Sequence, residues 1–200
     1  MNDRERLRTL IQELCLLDGD FTLSTGAKSR FYFDCKRVTL DGEGLTLIAK
    51  ELLKALEEFP VQPSAIGGLT MGADFITAAV AVLSYQTGGP IKHGSIARKE
   101  AKKHGTANKI ENELPSGTKI VVVDDVITTG KATLEACKDF EEAGYTVVGI
   151  LAVVDREAGG RENLQRTYPI VEVLFTKSDF PELGATPAKD LSAGMPADVN

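Results

Sequence analysis

Two adjacent carboxylates, Asp124 and Asp125, end an apolar run and lead at once into Thr128, Thr129 and Gly130, all within VVVDDVITTGKA (121–132). Thr and Gly at the opening of a helix leave backbone N–H groups free, and Gly lets them approach a phosphate closely. The carboxylates repel phosphate but accept hydrogen bonds from a sugar diol, or attract a bound metal. Together these residue types describe a cradle for a ribose phosphate. A P-loop is excluded, because it requires Gly where this chain has Asp125. A plain helix cap followed by a tight turn is the other reading of the same residues.

A second island lies at 98–109, RKEAKKHGTANK, with five Lys or Arg against one Glu. Its net +4 sits in a chain of net −6, which leaves the other 188 residues at −10. A cationic island in an acidic chain suits a small polyanion better than a nucleic-acid duplex or an anionic membrane, and a solvated charged loop is the alternative.

These residues need elements to hold them. Leu7, Leu10, Ile11, Leu14 and Leu17 recur at helical spacing and predict a helix over 4–17, ending at Asp18-Gly19. A polar turn at 24–29 precedes a strand around Phe31, Tyr32 and Phe33, and a second helix spans 44–59 up to Pro60. Strands are expected at 65–68, 91–97, 119–123, 145–154 and 170–175, with helices at 73–85 and 132–143. KIVVV (119–123) shows no polar alternation, so both its faces are buried. Strands alternating with helices predict an α/β fold, a mainly parallel sheet flanked by helices on both faces. In such sheets ligands bind at the carboxyl ends of the strands, where Asp124 and Asp125 stand.

At 200 residues, with 42% hydrophobic and 26% charged residues, the composition is that of an ordinary folded chain. We expect one domain over 1–183 and a flexible tail over 184–200, which is rich in Gly, Ala and Pro. The longest nearly pure apolar run, 147–154, is far too short to span a membrane, and the charged N-terminus lacks a secretory apolar core. Cys15, Cys35 and Cys137 are widely spaced and form no metal pattern, so reduced structural thiols and a cytoplasmic location are expected. His93 matches no functional pattern and is expected to be structural or exposed.

VVVDDVITTG resembles the phosphoribosyl-pyrophosphate (PRPP) motif of the type I phosphoribosyltransferases. RKEAKKHG (98–105) resembles the mobile catalytic loop of one branch, the orotate phosphoribosyltransferases. DREAGGRENL (155–164) and FTLSTGAKSRFYFD (21–34) are similar to that branch's segment after the next strand and to its base-binding region. The matches keep their order over most of 21–164. The resemblance implies the type I fold with a small N-terminal hood over about 1–40. It also implies transfer of the phosphoribosyl group from PRPP to orotate, giving orotidine 5′-monophosphate and pyrophosphate in de novo pyrimidine (UMP) biosynthesis. Other readings are a phosphoribosyltransferase for another nucleobase, or a non-catalytic PRPP-binding regulator of the same fold.

Carried over to this chain, the resemblance implies that Asp124 and Asp125 hold the ribose hydroxyls. The backbone of Val126, Ile127, Thr128, Thr129, Gly130, Lys131 and Ala132 would surround the 5-phosphate. Arg98, Lys99, Lys102 and His104 would contact the pyrophosphate, with Lys102 and His104 catalytic alongside the two aspartates. Thr128 and Arg156 would contact orotate, with Tyr32 and Phe33 beside the base. A strand alternates its faces, so at most one of these two aromatics meets a ligand. Mg²⁺ would ride on PRPP with no site made by the protein alone, and a homodimer would share its active sites. Three positions depart from the family pattern: Ser24 and Met71 stand where lysines are usual, and Asn112 where Gly usually follows Glu111. Lys28 is a possible substitute for the first lysine.

Overall fold

Asn2 accepts the Glu5 amide at 2.8 Å, and the Glu5 carboxylate accepts the Asn2 amide at 3.1 Å. This reciprocal cap opens helix α1 (Asp3–Cys15) of the computed structural model, which describes residues 1–22, 28–100 and 109–180. The expected tail, 184–200, lies outside them. α1 buries Leu7, Leu10, Ile11 and Cys15, the stripe that its periodicity marks, but it ends before the expected Leu17. Leu16 is already extended, and β1 (Leu16–Thr22) pairs antiparallel with β2 (Lys28–Phe33), Leu16 opposite Phe33. The helical spacing of Leu14 and Leu17 is overridden by a partner strand that local periodicity does not see.

α2 (Lys36–Thr39) and α3 (Gly42–Leu56) follow, the second capped by Asp41, which accepts the Gly44 amide at 2.8 Å. The chain then alternates through β3 (Ala65–Leu69), α4 (Asp74–Thr87), β4 (His93–Ala97) and β5 (Ile110–Glu111). It continues with β6 (Lys119–Ile127), α5 (Lys131–Glu142), β7 (Thr146–Asp155), α6 (Gly160–Gln165) and β8 (Val171–Thr176). His93 opens β4 and is exposed. Cys15, Cys35 and Cys137 are free and buried. Among the described residues no helix is long and apolar enough to cross a membrane.

The large sheet runs β5-β4-β3-β6-β7-β8, parallel throughout except for β5 against β4. Alternate side chains of β6 feed two cores. Val121 and Val123 join the cluster under α1, α3 and α4, whereas Ile120 and Val122 join the one under α5 and α6. β7 divides likewise, Leu151 and Val153 to one side and Ile150 and Ala152 to the other. Helices on both faces therefore account for the uninterrupted apolar strand. The expected end of that strand at Val123 is corrected by the pairing: Asp124 lies opposite Ala152 and Ile127 opposite Asp155. The long neighbour β7 keeps bonding the backbone after the side chains turn polar.

Phe140 seats α5 on this sheet. It is fully buried, its ring centroid lies 5.8 Å from that of Tyr145, and Gly67 of β3 lies so close that a Cβ there would meet the ring at 2.9 Å. Truncation to Ala leaves a cavity under the helix that follows the Gly130 turn. We expect Phe140→Ala to cost about 3–4 kcal/mol of stability, read as a lower urea midpoint at unchanged slope.

Candidate active site

Parallel strands bring the carboxyl ends of β3, β4, β6 and β7 to one edge, and the residues singled out by chemistry meet there. Asp124 is held from two sides. Its Oδ1 accepts the Asp125 amide at 3.0 Å, and its Oδ2 accepts the Thr133 hydroxyl at 2.7 Å from the first turn of α5. Burial pushes the Asp124 carboxyl up from 3.8 to about 7; the Thr133 hydrogen bond opposes this rise, and the neighbouring Asp125 charge adds to it. Asp125 Oδ1 accepts the Val126 amide at 2.9 Å.

The turn between β3 and α4 closes over this pair. A Cβ on Gly72 would stand 2.7 Å from Asp125 Oδ1 and 3.2 Å from Asp124 Oδ1. Only a residue without a side chain lets this backbone pass. On the other side, the Cys35 thiol donates to the Asp125 carbonyl at 3.8 Å. Burial holds that thiol well above its ordinary pKa, with Cys15 as its hydrogen-bonded neighbour.

After Ile127 the chain turns into α5 through Gly130, whose φ of 75° starts the helix. The first amides of α5 have no acceptor within the helix and form its positive end. Thr128 is half-buried, while Thr129, Lys131 and Ala132 are exposed. α6 braces this turn from behind: a Cβ on Gly160 would meet the Thr128 carbonyl at 2.5 Å and the Gly130 nitrogen at 2.9 Å.

Arg156 follows β7, its amide bonded to the Ile127 carbonyl at 2.9 Å. The carboxylates beside it are engaged elsewhere. Asp155 accepts the Glu157 amide at 2.9 Å, and Glu157 accepts the Ser178 hydroxyl at 2.7 and 2.8 Å. Among the described residues neither of them pairs with the Arg156 guanidinium.

A cavity of about 560 Å³ opens between the ends of β3 and β4, lined by Thr70, Asp74, Arg98, Lys99 and Glu111 among others. Thr70 donates to Asp74 at 2.9 Å, and Met71 beside it is 59% exposed. Arg98 pairs with Glu111 at 2.8 Å, and its amide donates to the Lys109 carbonyl at 2.7 Å. Lys109 in turn pairs with buried Asp139 of α5 at 3.0 Å. Asn112 adopts φ 57°, a conformation that Gly adopts freely and Asn tolerates, and its side chain donates to the Gly94 carbonyl at 2.6 Å.

Asp124, Asp125 and the 126–132 turn thus stand together, with Arg98 and Lys99 at the end of β4, beyond β3 in the sheet. The Phe33 ring packs against Phe180, centroids 6.0 Å apart, at the edge of a core. Lys102, His104 and Ser24 lie outside the described residues, as do the side chains of Tyr32 and Lys28. Gly72, Thr133 and Gly160 were not singled out from sequence, and Cys35 only as a structural thiol. A lone Gly, Thr or Cys carries no local signal that a carboxylate or a tight turn will fold against it.

This arrangement has relatives. The family model for the phosphoribosyl transferase domain matches residues 38–179. An orotate phosphoribosyltransferase of Aquifex aeolicus is 45% identical over 183 residues, spanning 90% of this chain and 98% of its own. The crystal structure of Mycobacterium tuberculosis orotate phosphoribosyltransferase with Fe(III) dicitrate superposes with a TM-score of 0.78 at 32% identity, covering 92% and 99% of the two chains. The same enzyme crystallised with PRPP superposes at 0.74 with 27% identity, covering 90% and 99%.

The raised Asp124 carboxyl makes folding pH-dependent. The folded protein binds a proton there between about pH 4 and 7 that the unfolded chain releases. Its contribution to stability is therefore full below pH 4 and is lost as pH rises through 7, by at most about 1.4 kcal/mol per pH unit. Urea unfolding at pH 5 and pH 8 should show Asp124→Asn gaining on the parent protein as pH rises. Parallel pH profiles for the two proteins count against this assignment.

Proposed function

Because the chain belongs to the orotate branch of the phosphoribosyltransferase family, we propose that the groove at the carboxyl end of β6 joins orotate to the ribose of PRPP. The reaction releases pyrophosphate and forms orotidine 5′-monophosphate. The supporting observation is the carboxylate pair at the end of a buried strand, roofed by Gly72 and followed directly by the Gly130 turn into α5.

Asp124 and Asp125 receive the ribose hydroxyls as hydrogen-bond acceptors. The free amides of 128–132 and the positive end of α5 take the 5-phosphate. Arg98 and Lys99 line the cavity assigned to the pyrophosphate, where charge builds as the C1–O bond breaks, and Lys102 and His104 complete this cationic set. Little covalent chemistry is asked of the protein. It aligns orotate with the ribosyl carbon and stabilises the departing group. Arg156 and Thr128 hold orotate, since a planar guanidinium suits an anionic, oxygen-rich edge. The Phe33 ring is occupied against Phe180, and of the two aromatics Tyr32 is the one assigned to the base.

Mg²⁺ fits the donor chemistry here, because carboxylate and phosphate oxygens are hard ligands. Among the described residues no group of three or more Asp, Glu, His or Cys converges, so Asp124 and Asp125 would share the ion with PRPP oxygens and water. When bound, it supplies charge neutralisation on the pyrophosphate.

A homodimer with shared sites is part of this reading. α4 starts at the cavity with Asp74 and carries Val82 and Tyr85, 59% and 80% exposed. Beside them an apolar groove of about 450 Å³ separates α3 from α4, lined by Leu45, Ala49, Phe75 and Leu83. A second copy seated there would cover this apolar surface next to the catalytic edge. The compartment proposed is the cytoplasm, where the buried thiols stay reduced.

Loss of orotate absorbance with PRPP and Mg²⁺, reversed by excess pyrophosphate, tests the reaction directly. Arg156→Ala should lower orotate turnover about 100-fold, and turnover that survives the substitution removes Arg156 from the base site. For the dimer, Val82→Glu combined with Tyr85→Glu should shift sedimentation toward monomer and reduce activity with it. A variant that stays dimeric places the interface elsewhere.

A further inference from the structure

We propose that Ser178 is a positioning residue for the orotate subsite: its hydroxyl draws the Glu157 carboxylate away from Arg156 and leaves that guanidinium to an anionic base. The inference rests on the assignment of Arg156 to orotate. Glu157 follows Arg156 directly in the chain. A carboxylate settled on this guanidinium would occupy its donors and repel a second anion. The Glu157 backbone is held in the left-handed region, at φ 54°, which a residue with a side chain enters only when its surroundings compel it. Two contacts hold it there. Asp155 Oδ1 accepts the Glu157 amide at 2.9 Å, and the Ser178 hydroxyl donates to the Glu157 carboxylate, 2.8 Å from Oε1 and 2.7 Å from Oε2.

The fold brings Ser178 to this point on an anchored turn. β8 lies beside β7 with Thr176 opposite Asp155, so the two strands end together. Beyond β8 the chain makes one 3-10 turn over Lys177–Asp179. Asp179 Oδ2 accepts the Thr176 amide at 2.7 Å and the Thr176 hydroxyl at 3.2 Å, which closes the turn on itself. The Asp179 carbonyl accepts Arg8 Nε of α1 at 2.7 Å. Phe180 is buried, its ring centroid 6.0 Å from that of Phe33 and 5.8 Å from that of Phe175. Ser178 therefore sits between two fixed points. Phe33 ends β2, the strand that carries Tyr32, so one short turn contacts both flanks of the proposed base site. Ser178 and Glu157 are both exposed, so a Glu157–Arg156 pair formed without Ser178 has the strength of a surface ion pair, which bounds its effect on orotate.

Ser178→Ala deletes the donor, Ser178→Thr keeps a hydroxyl, and Ser178→Ala combined with Glu157→Gln removes the competing charge as well. In Ser178→Ala we expect KM for orotate to rise about fivefold, with kcat and KM for PRPP little changed. Ser178→Thr and the double variant should both return KM for orotate close to the parent value. An unmoved KM for orotate in Ser178→Ala overturns the proposal. So does an equal rise in KM for PRPP, which marks a general loosening of the strand ends, or a penalty that persists in the double variant, since the Glu157 charge is then not its cause. NMR of the arginine Nε–H groups in the full chain without ligand supplies a readout apart from turnover. The Arg156 signal, identified by its loss in Arg156→Lys, should shift in Ser178→Ala and return in the double variant, and a signal that stays in place overturns the proposal. A parent protein that never consumes orotate fails the assignment of the reaction, while this signal still decides whether Ser178 keeps Glu157 off Arg156.

Discussion

A carboxylate pair at the end of a strand buried on both faces is the constraint around which the rest of this molecule is arranged. β6 must be apolar because helices cover both sides of the sheet, yet it runs directly into Asp124 and Asp125. Desolvating charge costs several kcal/mol unless donors replace the lost water. The surrounding structure supplies them: backbone amides at 125 and 126, the Thr133 hydroxyl, and the positive end of α5. Even so, burial pushes the Asp124 carboxyl up to about 7.

The same edge is crowded by backbone rather than by side chains. Gly72 passes against the carboxylates, and Gly160 against the Thr128 carbonyl and the Gly130 nitrogen. Backbone approaching this closely leaves the turn at 128–130 little freedom, so its amides are preorganised before any anion arrives. The Cys35 thiol at the Asp125 carbonyl ties the N-terminal part of the chain to the same point. Stability and site geometry are therefore linked, since the packing that holds α5 and α6 on the sheet also holds the 128–130 turn.

The cationic island is less free than its composition implies. Arg98 is paired with Glu111, and Lys109 with Asp139. An anion reaching Arg98 competes with a half-exposed carboxylate, and an exposed pair of that kind is worth at most about 1 kcal/mol. Lys109, held by a buried partner, serves instead to anchor its segment to α5.

The local features were legible because each is made by neighbours in the chain. Apolar periodicity marked α1, α3 and the central strands, and the strand–turn–helix chemistry of 121–132 uses backbone groups adjacent in sequence. β1 was hidden, since its pairing with β2 competes with a helical spacing that Leu17 satisfies equally well. The extension of β6 through the aspartates was hidden too, because β7 imposes it. By itself the sequence determined the sheet architecture, the carboxylate–turn motif and its likeness to a phosphoribosyl cradle. Only the tertiary structure decided that Gly72 roofs the carboxylates, that Thr133 orients one of them, and that Glu111 engages Arg98. Those contacts join groups far apart in the chain, where charge state and orientation depend on distance through space.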